Sequence, residues 1–399
     1  MQASITLAGM ACQTLSNRLS RLMENSIRKI QKSILFLVFN FLIVAIILLF
    51  LEGSASFILF FQTAALTSPV AERSHTQYDE QLGWVNRPNV YIEDMYGPGL
   101  YLKTNAQGFR NDEDFEVAVP EPKVRLICSG DSFTLGYGVD NRHTWCQLLG
   151  ELNPQLQTVN MGQGGYGIDQ AYLWYKRDGT RLEHDLHLFA FITTDFERIK
   201  QDNFLGYGKP LLKVENGNLV VENVPVPRRA FYVPWLTQNS EAIRGLRSIQ
   251  LVSQFFWQPA QAGANADYYK YDLALENIAV KVLQDLQQLN TAQDSLLVLV
   301  YLPTLADYTP PYPGNTEKWR QHIYRAAQET GILYIDLIGD FRSLPATQVQ
   351  SLFIREGEVD FPGAAGHYSV EGNEYIAQQL YQKLLSFSEV SSRLANPLP

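Results

Sequence analysis

The chain has 399 residues, of which 46% are hydrophobic and 18% charged, and its formal net charge is −9 at pH 7. This composition supports a large folded core and excludes a chain that is disordered throughout. An acidic chain is also a poor partner for nucleic acid, so we expect no nucleic-acid binding.

The first predicted element is an apolar helix over Ile34–Leu51, in which Asn40 is the only polar residue. At about 1.5 Å of rise per residue, this helix nearly crosses a hydrocarbon core of about 30 Å, and the apolar residues beyond it extend the span. We therefore expect a membrane anchor over residues 34–61. Residues 1–33 carry a net charge of +4. Because positively charged flanks stay in the cytoplasm, the chain after about residue 60 is expected to be periplasmic or otherwise extracytoplasmic.

Residues 62–123 are predicted to form a linker followed by a small extended region. The segments "YDEQLGWVNRPN" and "LKTNAQGFRNDEDF" contain turn-forming residues and isolated aromatic side chains. They lack the spacing of apolar residues that a helix requires, so extended structure with turns is favoured.

From Val124 onward, apolar runs alternate with helical patterns. Helices are predicted over Thr144–Leu152 and from about Ile168. The five apolar runs, in chain order, are "VRLICSG", "LQTVNMG", "DLHLFAFITT", "SLLVLVYLPT" and "ILYIDLI". Continuous apolar strands separated by helices indicate a parallel sheet covered on both faces, and hence an α/β fold. We expect this domain to span residues 124–388 and a tail to follow over residues 389–399.

A long insert, at about residues 200–290, separates the third apolar run from the fourth. The segment "PLLKVENGNLVVENVPVP" is typical of a β-hairpin with Asn216-Gly217 at its tip. Helical patterns follow near Ser240–Trp257 and Tyr269–Asn290. A connection of this length is too long for a simple crossover, so we interpret it as a cap over the carboxyl edge of the sheet.

The cysteines and other ligand-type residues predict no metal site. The chain has three cysteines, Cys12, Cys128 and Cys146. An odd number without metal-type spacing indicates neither a disulfide scaffold nor a zinc site. No cluster of metal-ligating residues is evident, which argues against a metallohydrolase.

A glycine-rich segment after the second strand raises the possibility of a nucleotide cofactor. Gly162-x-Gly164-x-x-Gly167 formally matches the dinucleotide-binding fingerprint. The match lies in the second strand–helix unit, and no acidic residue closes the next strand: Asp185 opens it and Asp195 lies beyond it. We therefore expect no cofactor and keep two alternatives, an NAD-type site and a turn without chemistry.

The tripeptide Gly130-Asp131-Ser132 ends the first strand. In an open parallel sheet, ligands bind beyond the carboxyl ends of the strands. A serine at that edge, close to a helix N-terminus, is a candidate nucleophile whose backbone N–H can stabilise a developing oxyanion. The alternative is a strand-to-helix turn in which Asp131 or Ser132 only caps the helix.

His367 is the candidate general base. It lies in the glycine-rich loop of "VDFPGAAGHYSVEGNEYIAQQL", just before a helix with Ile376, Leu380 and Leu384 on one face. A lone histidine is usually structural. One placed just before a packed helix has a fixed position, as a general base requires.

Together these features resemble the SGNH (GDSL-type) hydrolases over residues 124–385, about two-thirds of the chain. The resemblance implies a three-layer α/β/α domain with a flavodoxin-like parallel sheet of strand order 2-1-3-4-5. It also implies that Ser132 is the nucleophile and His367 the base. Gly165, five residues after Asn160, would donate an oxyanion N–H beside that of Ser132. The N-terminal anchor with "LGWVNRPN" and "TNAQGFRN" resembles a membrane-anchored bacterial branch of these hydrolases.

The sequence departs from the family pattern at two positions. Where the third block usually has an asparagine that donates to the oxyanion, this chain has Thr194, with Asp195 retained. The positions usually occupied by the catalytic acid are Ala364 and Ala365, and the nearest upstream carboxylate is Asp360. A loop could fold Asp360 back to the imidazole; alternatively the site is a Ser–His dyad whose ring is oriented by a backbone carbonyl.

The resemblance implies a serine-dependent esterase or O-acyltransferase acting on an acyl ester of a small molecule, glycan or lipid. Hydrolysis and transfer share one acyl-enzyme and differ in whether water or a hydroxyl group accepts the acyl group. The alternative is a catalytically inactive SGNH-like protein that binds or assembles components of the cell envelope, which the altered third block and the missing acid would favour.

Overall fold

The computed structural model describes residues 28–29, 31–54, 57–58, 75–204, 207–227, 273–312 and 315–395. Contacts within the chain divide it into two units, residues 1–65 and 66–399. The predicted helix at Ser240–Trp257, most of the basic N-terminal segment and the start of the predicted linker lie outside the described residues.

The first unit contains one long helix, α1, over Gln31–Ser54. Its 24 residues include an 18-residue window with a mean hydropathy of 3.3, so by length and composition it can cross a membrane. The side chain of Asn40 donates a hydrogen bond to the carbonyl of Phe36 at 2.7 Å. The one polar side chain of the predicted helix Ile34–Leu51 thus has a partner within the helix, as an apolar surrounding requires.

The second unit is built on a five-stranded parallel sheet, with shorter antiparallel pairs around it. Its strands are β1 (Thr76–Asp79), β2 (Gly83–Asn86), β3 (Tyr91–Ile92), β4 (Leu102–Lys103), β5 (Val124–Gly130), β6 (Leu156–Gly162), β7 (Leu186–Phe191), β8 (Asn203–Phe204), β9 (Tyr207–Gly208), β10 (Leu211–Glu215), β11 (Asn218–Glu222), β12 (Leu296–Tyr301) and β13 (Leu333–Asp336).

The helices of this unit cover both faces of the sheet. Those among the described residues are α2 (Ser132–Leu135), α3 (Trp145–Leu152), α4 (Ile168–Arg177), α5 (Thr193–Arg198), α6 (Leu273–Thr291), α7 (Thr316–Thr330), α8 (Ile338–Arg342), α9 (Ala346–Ser351), α10 (Val370–Ser386) and α11 (Ser388–Ala395). One core contains α4, α6 and α7, and the other contains α3, α10 and α11. This is the expected three-layer α/β/α arrangement.

The order of the large sheet is β6-β5-β7-β12-β13, and its neighbouring strands are parallel. Numbered by the five predicted apolar runs, this is 2-1-3-4-5, so the expected order is confirmed. β5 lies between β6 and β7. The loops that follow these three strands therefore meet at one point of the carboxyl edge, where the strand order reverses.

The last part of the insert between β7 and β12, the helix before β12, differs from the expected cap. β10 and β11 form the predicted hairpin, with Asn216 and Gly217 both at positive φ in its turn. The predicted helix at Tyr269–Asn290 corresponds to α6, which buries Ala279, Val282 and Leu286 in the core beside the sheet. Because its apolar stripe packs on the sheet, α6 is the crossover helix to β12 and not part of a cap.

Two further expectations need correction. The predicted tail at residues 389–399 is helical over α11, and Val390 and Leu394 are buried in the core, because the amphipathic turn packs beside α10. Cys128 in β5 and Cys146 in α3 form a disulfide, although the sequence predicted no disulfide scaffold. The bond joins a strand to the helix that covers it, a contact that the spacing of the cysteines does not reveal.

Candidate active site

Ser132 lies at the carboxyl edge of the sheet, directly after β5. Asp131 caps α2: its Oδ1 accepts a hydrogen bond from the N–H of Phe133 at 2.9 Å. The cap turns the chain sharply, so that Ser132 begins the helix while only 6% of its surface is exposed. Asp131 is therefore the capping residue, and the cap leaves the hydroxyl of Ser132 available for a separate role.

The loop after β6 lies against the helix that carries Ser132. The side chain of Asn160 donates to the carbonyl of Thr134 at 2.9 Å and accepts from the N–H of Gly162 at 2.9 Å. The N–H of Gln163 donates to the carbonyl of Gly130 at 3.1 Å. Asn160 thus fixes the first loop against the second, a role that the sequence pattern did not assign to it.

His367 is the partner of Ser132. Its Nε2 lies 2.7 Å from the Ser132 hydroxyl oxygen, although 235 residues separate the two in sequence. The ring lies against Phe133, with centroids 4.6 Å apart, and against Tyr137, with centroids 5.3 Å apart. The carbonyl of His367 accepts a hydrogen bond from the N–H of Ile354 at 2.9 Å, which holds the loop just before α10.

The structure does not bring Asp360 to His367. The Asp360 side chain is exposed, and its backbone N–H donates to the carbonyl of Tyr96. Nδ1 of His367 instead lies 3.3 Å from the carbonyl of Ala364. The loop turns tightly between Phe361 and His367, which directs that carbonyl toward the ring and Asp360 away from it. The arrangement is that of the expected alternative, a Ser–His dyad oriented by a backbone carbonyl.

Gly165 lies in the turn after β6, and its backbone requires glycine. Its φ is +79°, and a Cβ there would lie 2.5 Å from Cε1 of Phe204. L-residues rarely adopt this conformation, and no atom fits that close to a ring carbon. The chain can therefore pass its backbone against Phe204 only because residue 165 has no side chain.

Thr194 lies in the first turn of α5, after β7, and is half-buried. Its neighbour Thr193 points into the core, with Oγ1 2.9 Å from the Tyr301 hydroxyl and 3.0 Å from Oγ1 of Thr316. Among the described residues, no hydrogen bond involves the hydroxyl of Thr194. Its role as an oxyanion donor stays a prediction.

Buried charges lie beside these loops. Asp131 and Asp195 are both nearly inaccessible, and desolvation raises the pKa of each carboxyl, with Asp131 further raising that of Asp195. Arg198 opposes the effect: its Nη1 lies 2.5 Å from Oδ1 of Asp195 and 3.5 Å from Oδ2 of Asp131. The guanidinium is thus the cation shared by two buried carboxylates.

His367 has a depressed basicity. The pKa of its imidazole is lowered from 6.5 to about 4, mainly by desolvation; the Ala364 carbonyl opposes this shift and the positive charge of Arg198 adds to it. The ring is therefore neutral at neutral pH. A neutral imidazole can accept a proton at Nε2 while Nδ1–H faces the Ala364 carbonyl.

The space beside each glycine of the dinucleotide-like pattern is filled by other residues of the protein. A Cβ on Gly162 would meet the backbone of Leu135, and one on Gly164 would meet the ring of Tyr137. A Cβ on Gly167 would lie 2.8 Å from the carbonyl oxygen of Asp195. The glycine spacing thus follows from close packing of the turn between α2 and α5, and these glycines do not form a binding loop for a pyrophosphate.

Among the described residues, no group of three or more His, Cys, Asp or Glu side chains is placed to hold a metal ion.

The region before β5 contributes two side chains that sequence reasoning missed. Nε1 of Trp84 donates to the carbonyl of Gly164 at 2.8 Å, beside the proposed oxyanion donor. The buried guanidinium of Arg110 donates to the carbonyls of Leu135 and Gly136, where α2 ends. Both come from segments noted for their turns, "LGWVN" and "QGFRN", but nothing in those segments indicates such distant partners.

Comparisons with known proteins give only matches to solved structures, and these have low sequence identity to the chain. No family model and no curated protein matches the chain. Similar solved structures include a member of the lipolytic protein G-D-S-L family from Veillonella parvula, at 12% identity over 65% of this chain and 97% of that one, with a TM-score of 0.36. An acetyl xylan esterase is similar at 16% identity over 65% of this chain and 98% of that one, with a TM-score of 0.36. A catalytic mutant of an acetylxylan esterase from Geobacillus stearothermophilus is similar at 12% identity over 69% of this chain and 99% of that one, with a TM-score of 0.37. At these TM-scores the likenesses carry no argument about activity.

Proposed function

We propose that this protein is a serine esterase that forms an acyl-enzyme on Ser132. The observation that carries the proposal is the 2.7 Å contact between the Ser132 hydroxyl and Nε2 of His367. It joins a nucleophile to a neutral base at the carboxyl edge of the sheet, at the point where the strand order reverses. Nucleophile and base within hydrogen-bond reach are the signature of covalent acyl transfer.

The first half of the reaction forms the acyl-enzyme. Oγ of Ser132 attacks the acyl carbonyl carbon, and its proton passes to Nε2 of His367. The carbonyl oxygen takes up the electron pair of the broken π bond and is stabilised by the N–H groups of Ser132 and Gly165, with the Thr194 hydroxyl as the third donor. The tetrahedral intermediate collapses as the imidazolium gives its proton to the leaving alcohol.

The second half consumes the acyl-enzyme. An acceptor hydroxyl loses its proton to His367, attacks the acyl carbon and releases Ser132 as the free hydroxyl. If the acceptor is water, the reaction is hydrolysis; if it is a sugar or lipid hydroxyl, the reaction is O-acyl transfer. The Ala364 carbonyl takes the orienting place of the usual carboxylate and accepts a hydrogen bond from Nδ1–H throughout.

The site would lie outside the cytoplasm, on a chain anchored by Ile34–Leu51. Two observations support this location: the net charge of +4 before the apolar helix and the disulfide between Cys128 and Cys146. Disulfides persist mainly in oxidising compartments. A reporter fused after Pro399 that is active only outside the cytoplasm should be active; an inactive reporter would place the domain on the other side.

Ester hydrolysis by the purified full-length chain in detergent tests the function. We expect turnover of a short-chain aryl ester, with loss of turnover in Ser132→Ala and His367→Ala. The altered third block and the absence of an orienting carboxylate favour the alternative, an inactive binding or assembly protein of the envelope. That alternative is supported if wild type and both variants give the same background rate.

A further inference from the structure

Arg198 makes contacts with all three loops of the proposed site. Its Nη1 donates to the carbonyl of Tyr166 at 2.7 Å and to Oδ1 of Asp195 at 2.5 Å. The same nitrogen lies 3.5 Å from Oδ2 of Asp131. Asp131 follows β5, Tyr166 follows β6 and Asp195 follows β7. One nitrogen thus joins the ends of three neighbouring strands.

Each contacted residue is the immediate neighbour of a proposed catalytic group. Asp131 precedes Ser132, Tyr166 follows Gly165, and Asp195 follows Thr194. A hydrogen bond to the Tyr166 carbonyl restrains the turn that directs the Gly165 N–H. A contact that moved by about 1 Å would move an oxyanion donor with it, and misplacement of that size can cost about 100-fold in rate.

Arg198 is itself held rigidly. Its side chain is only 15% exposed, and its guanidinium carbon lies 5.2 Å from the ring centroid of Phe204. Its backbone carbonyl accepts a hydrogen bond from Nζ of Lys209 at 2.9 Å. Lys209 in turn forms a buried ion pair with Asp169. Packing of this kind fixes one rotamer, so the guanidinium can act as a fixed reference point for the loops.

We propose that Arg198 is a positioning residue of this site: it joins the loops that carry Ser132, Gly165 and Thr194 and keeps their oxyanion donors in one geometry. The proposal rests on the proposed esterase function. The positioning role of Arg198 acts through its contacts with Asp131, Tyr166 and Asp195.

A positioning role for Arg198 explains how the site can function without the asparagine that is usual in the third block. An amide at residue 194 would supply a strong donor, and Thr194 has only one hydroxyl hydrogen. With fewer donors, the remaining N–H groups must be placed more accurately, because an oxyanion is stabilised by donors that are already oriented. Arg198 supplies that orientation by linking the three loops directly.

The test compares substitutions of Arg198 in the full-length chain, with p-nitrophenyl acetate as substrate. Arg198→Met keeps an unbranched apolar side chain but removes the guanidinium and its polar contacts, and we expect kcat to fall by about 10²–10³-fold with KM within about threefold. Arg198→Lys keeps the charge but its nitrogen is about one bond short, so we expect a loss of about tenfold. Arg181→Met, at a side chain that is 74% exposed, is the matched control and should retain wild-type kcat.

A second variant separates positioning from charge balance. Arg198→Met leaves Asp131 and Asp195 without their cation and can unfold the protein, whereas Arg198→Met with Asp195→Asn removes one charge of each sign. We expect this double variant to keep its unfolding temperature and still lose about 10²-fold or more in kcat. Wild-type kcat in the folded double variant would overturn the proposal, since charge balance alone would then suffice. If the double variant does not fold, Arg198→Lys decides, and wild-type kcat there would overturn the proposal.

Failure of the inference is distinguishable from failure of the proposed function. If wild type shows no turnover that depends on Ser132, the esterase function itself is wrong. If wild type turns over substrate and Ser132→Ala does not, but Arg198→Met matches wild type in kcat, then the function stands and the positioning role is wrong.

Discussion

Substitution of Gly165 by alanine perturbs the proposed oxyanion donor directly. The new Cβ would lie 2.5 Å from Cε1 and 2.7 Å from Cδ1 of Phe204. Carbon atoms pack at about 3.5–4.0 Å, so the turn or the ring must move by about 1 Å. The positive φ of +79° adds about 1–2 kcal/mol of backbone strain for any L-residue.

Gly217 provides a matched control for the backbone strain. It has the same φ, +79°, in the turn between β10 and β11, and a Cβ there would meet nothing within 4 Å. Gly217→Ala therefore carries the conformational cost without the clash. Any larger effect of Gly165→Ala measures the displacement of the turn against Phe204.

The expected loss in rate follows from the displaced N–H. Loss of one oxyanion donor costs about 10²–10³-fold in kcat, or about 2.7–4 kcal/mol of transition-state stabilisation. We expect Gly165→Ala to lower kcat for a short-chain aryl ester by this factor, and Gly217→Ala to leave kcat unchanged. The double variant Gly165→Ala/Phe204→Ala should recover at least about tenfold, because it makes room for the new methyl group.

The assay is steady-state hydrolysis with thermal unfolding measured on the same samples. If Gly165→Ala and Gly217→Ala have kcat values within threefold of each other, the Gly165 N–H does not stabilise the transition state. If the double variant recovers nothing, contact with Phe204 is not the cause of the loss.

Three further predictions follow from the site and its surroundings. The acidic limb of the pH profile of kcat/KM should have an apparent pKa of about 4, because His367 must be neutral to accept a proton and its pKa is about 4. The value of kcat/KM should therefore rise as the pH is raised through about 4. An acidic limb with an apparent pKa of 6.5 or above would instead indicate a solvated imidazole. Asp360→Ala should change kcat by less than about threefold, because that side chain is exposed and does not bond to the ring, whereas loss of an orienting triad carboxylate costs about 10⁴-fold. Alkylation of the denatured chain without reductant should modify Cys12 alone, because Cys128 and Cys146 are paired; three alkylated cysteines would exclude the disulfide.

The sheet could be predicted from sequence because its strands are buried on both faces. Residues of β5 and β7 are buried without exception, so these strands appear in the sequence as continuous apolar runs. Ser132 and His367 were predicted for a different reason. Each lies next to a sharp turn with a recognisable local composition, and their order along the chain matches a known pattern.

What the sequence did not predict depends on contacts between distant residues. The sequence left two candidates to orient the imidazole, Asp360 and a backbone carbonyl, and only the tight turn of the folded loop selects the Ala364 carbonyl. Arg198 has no local signal, since its partners Asp131 and Tyr166 lie on other loops. The same applies to the disulfide.

The packing of two helices, α6 and α11, was not predicted because amphipathicity alone does not identify the surface that a helix covers. The pattern of α6 shows an apolar face but not the surface that it covers. That face, which includes Val282 and Leu286, packs on the sheet. α11 is only eight residues long, and two buried side chains, Val390 and Leu394, join it to the core.

Activation of the Ser132 nucleophile by His367 is the step on which the proposed function depends. It is tested most directly by reaction of the full-length chain with a fluorophosphonate, followed by mass spectrometry of the peptide that bears the adduct. We expect one adduct on Ser132, absent in Ser132→Ala and formed much more slowly in His367→Ala. No adduct on wild type, or an adduct that persists in Ser132→Ala, would contradict it.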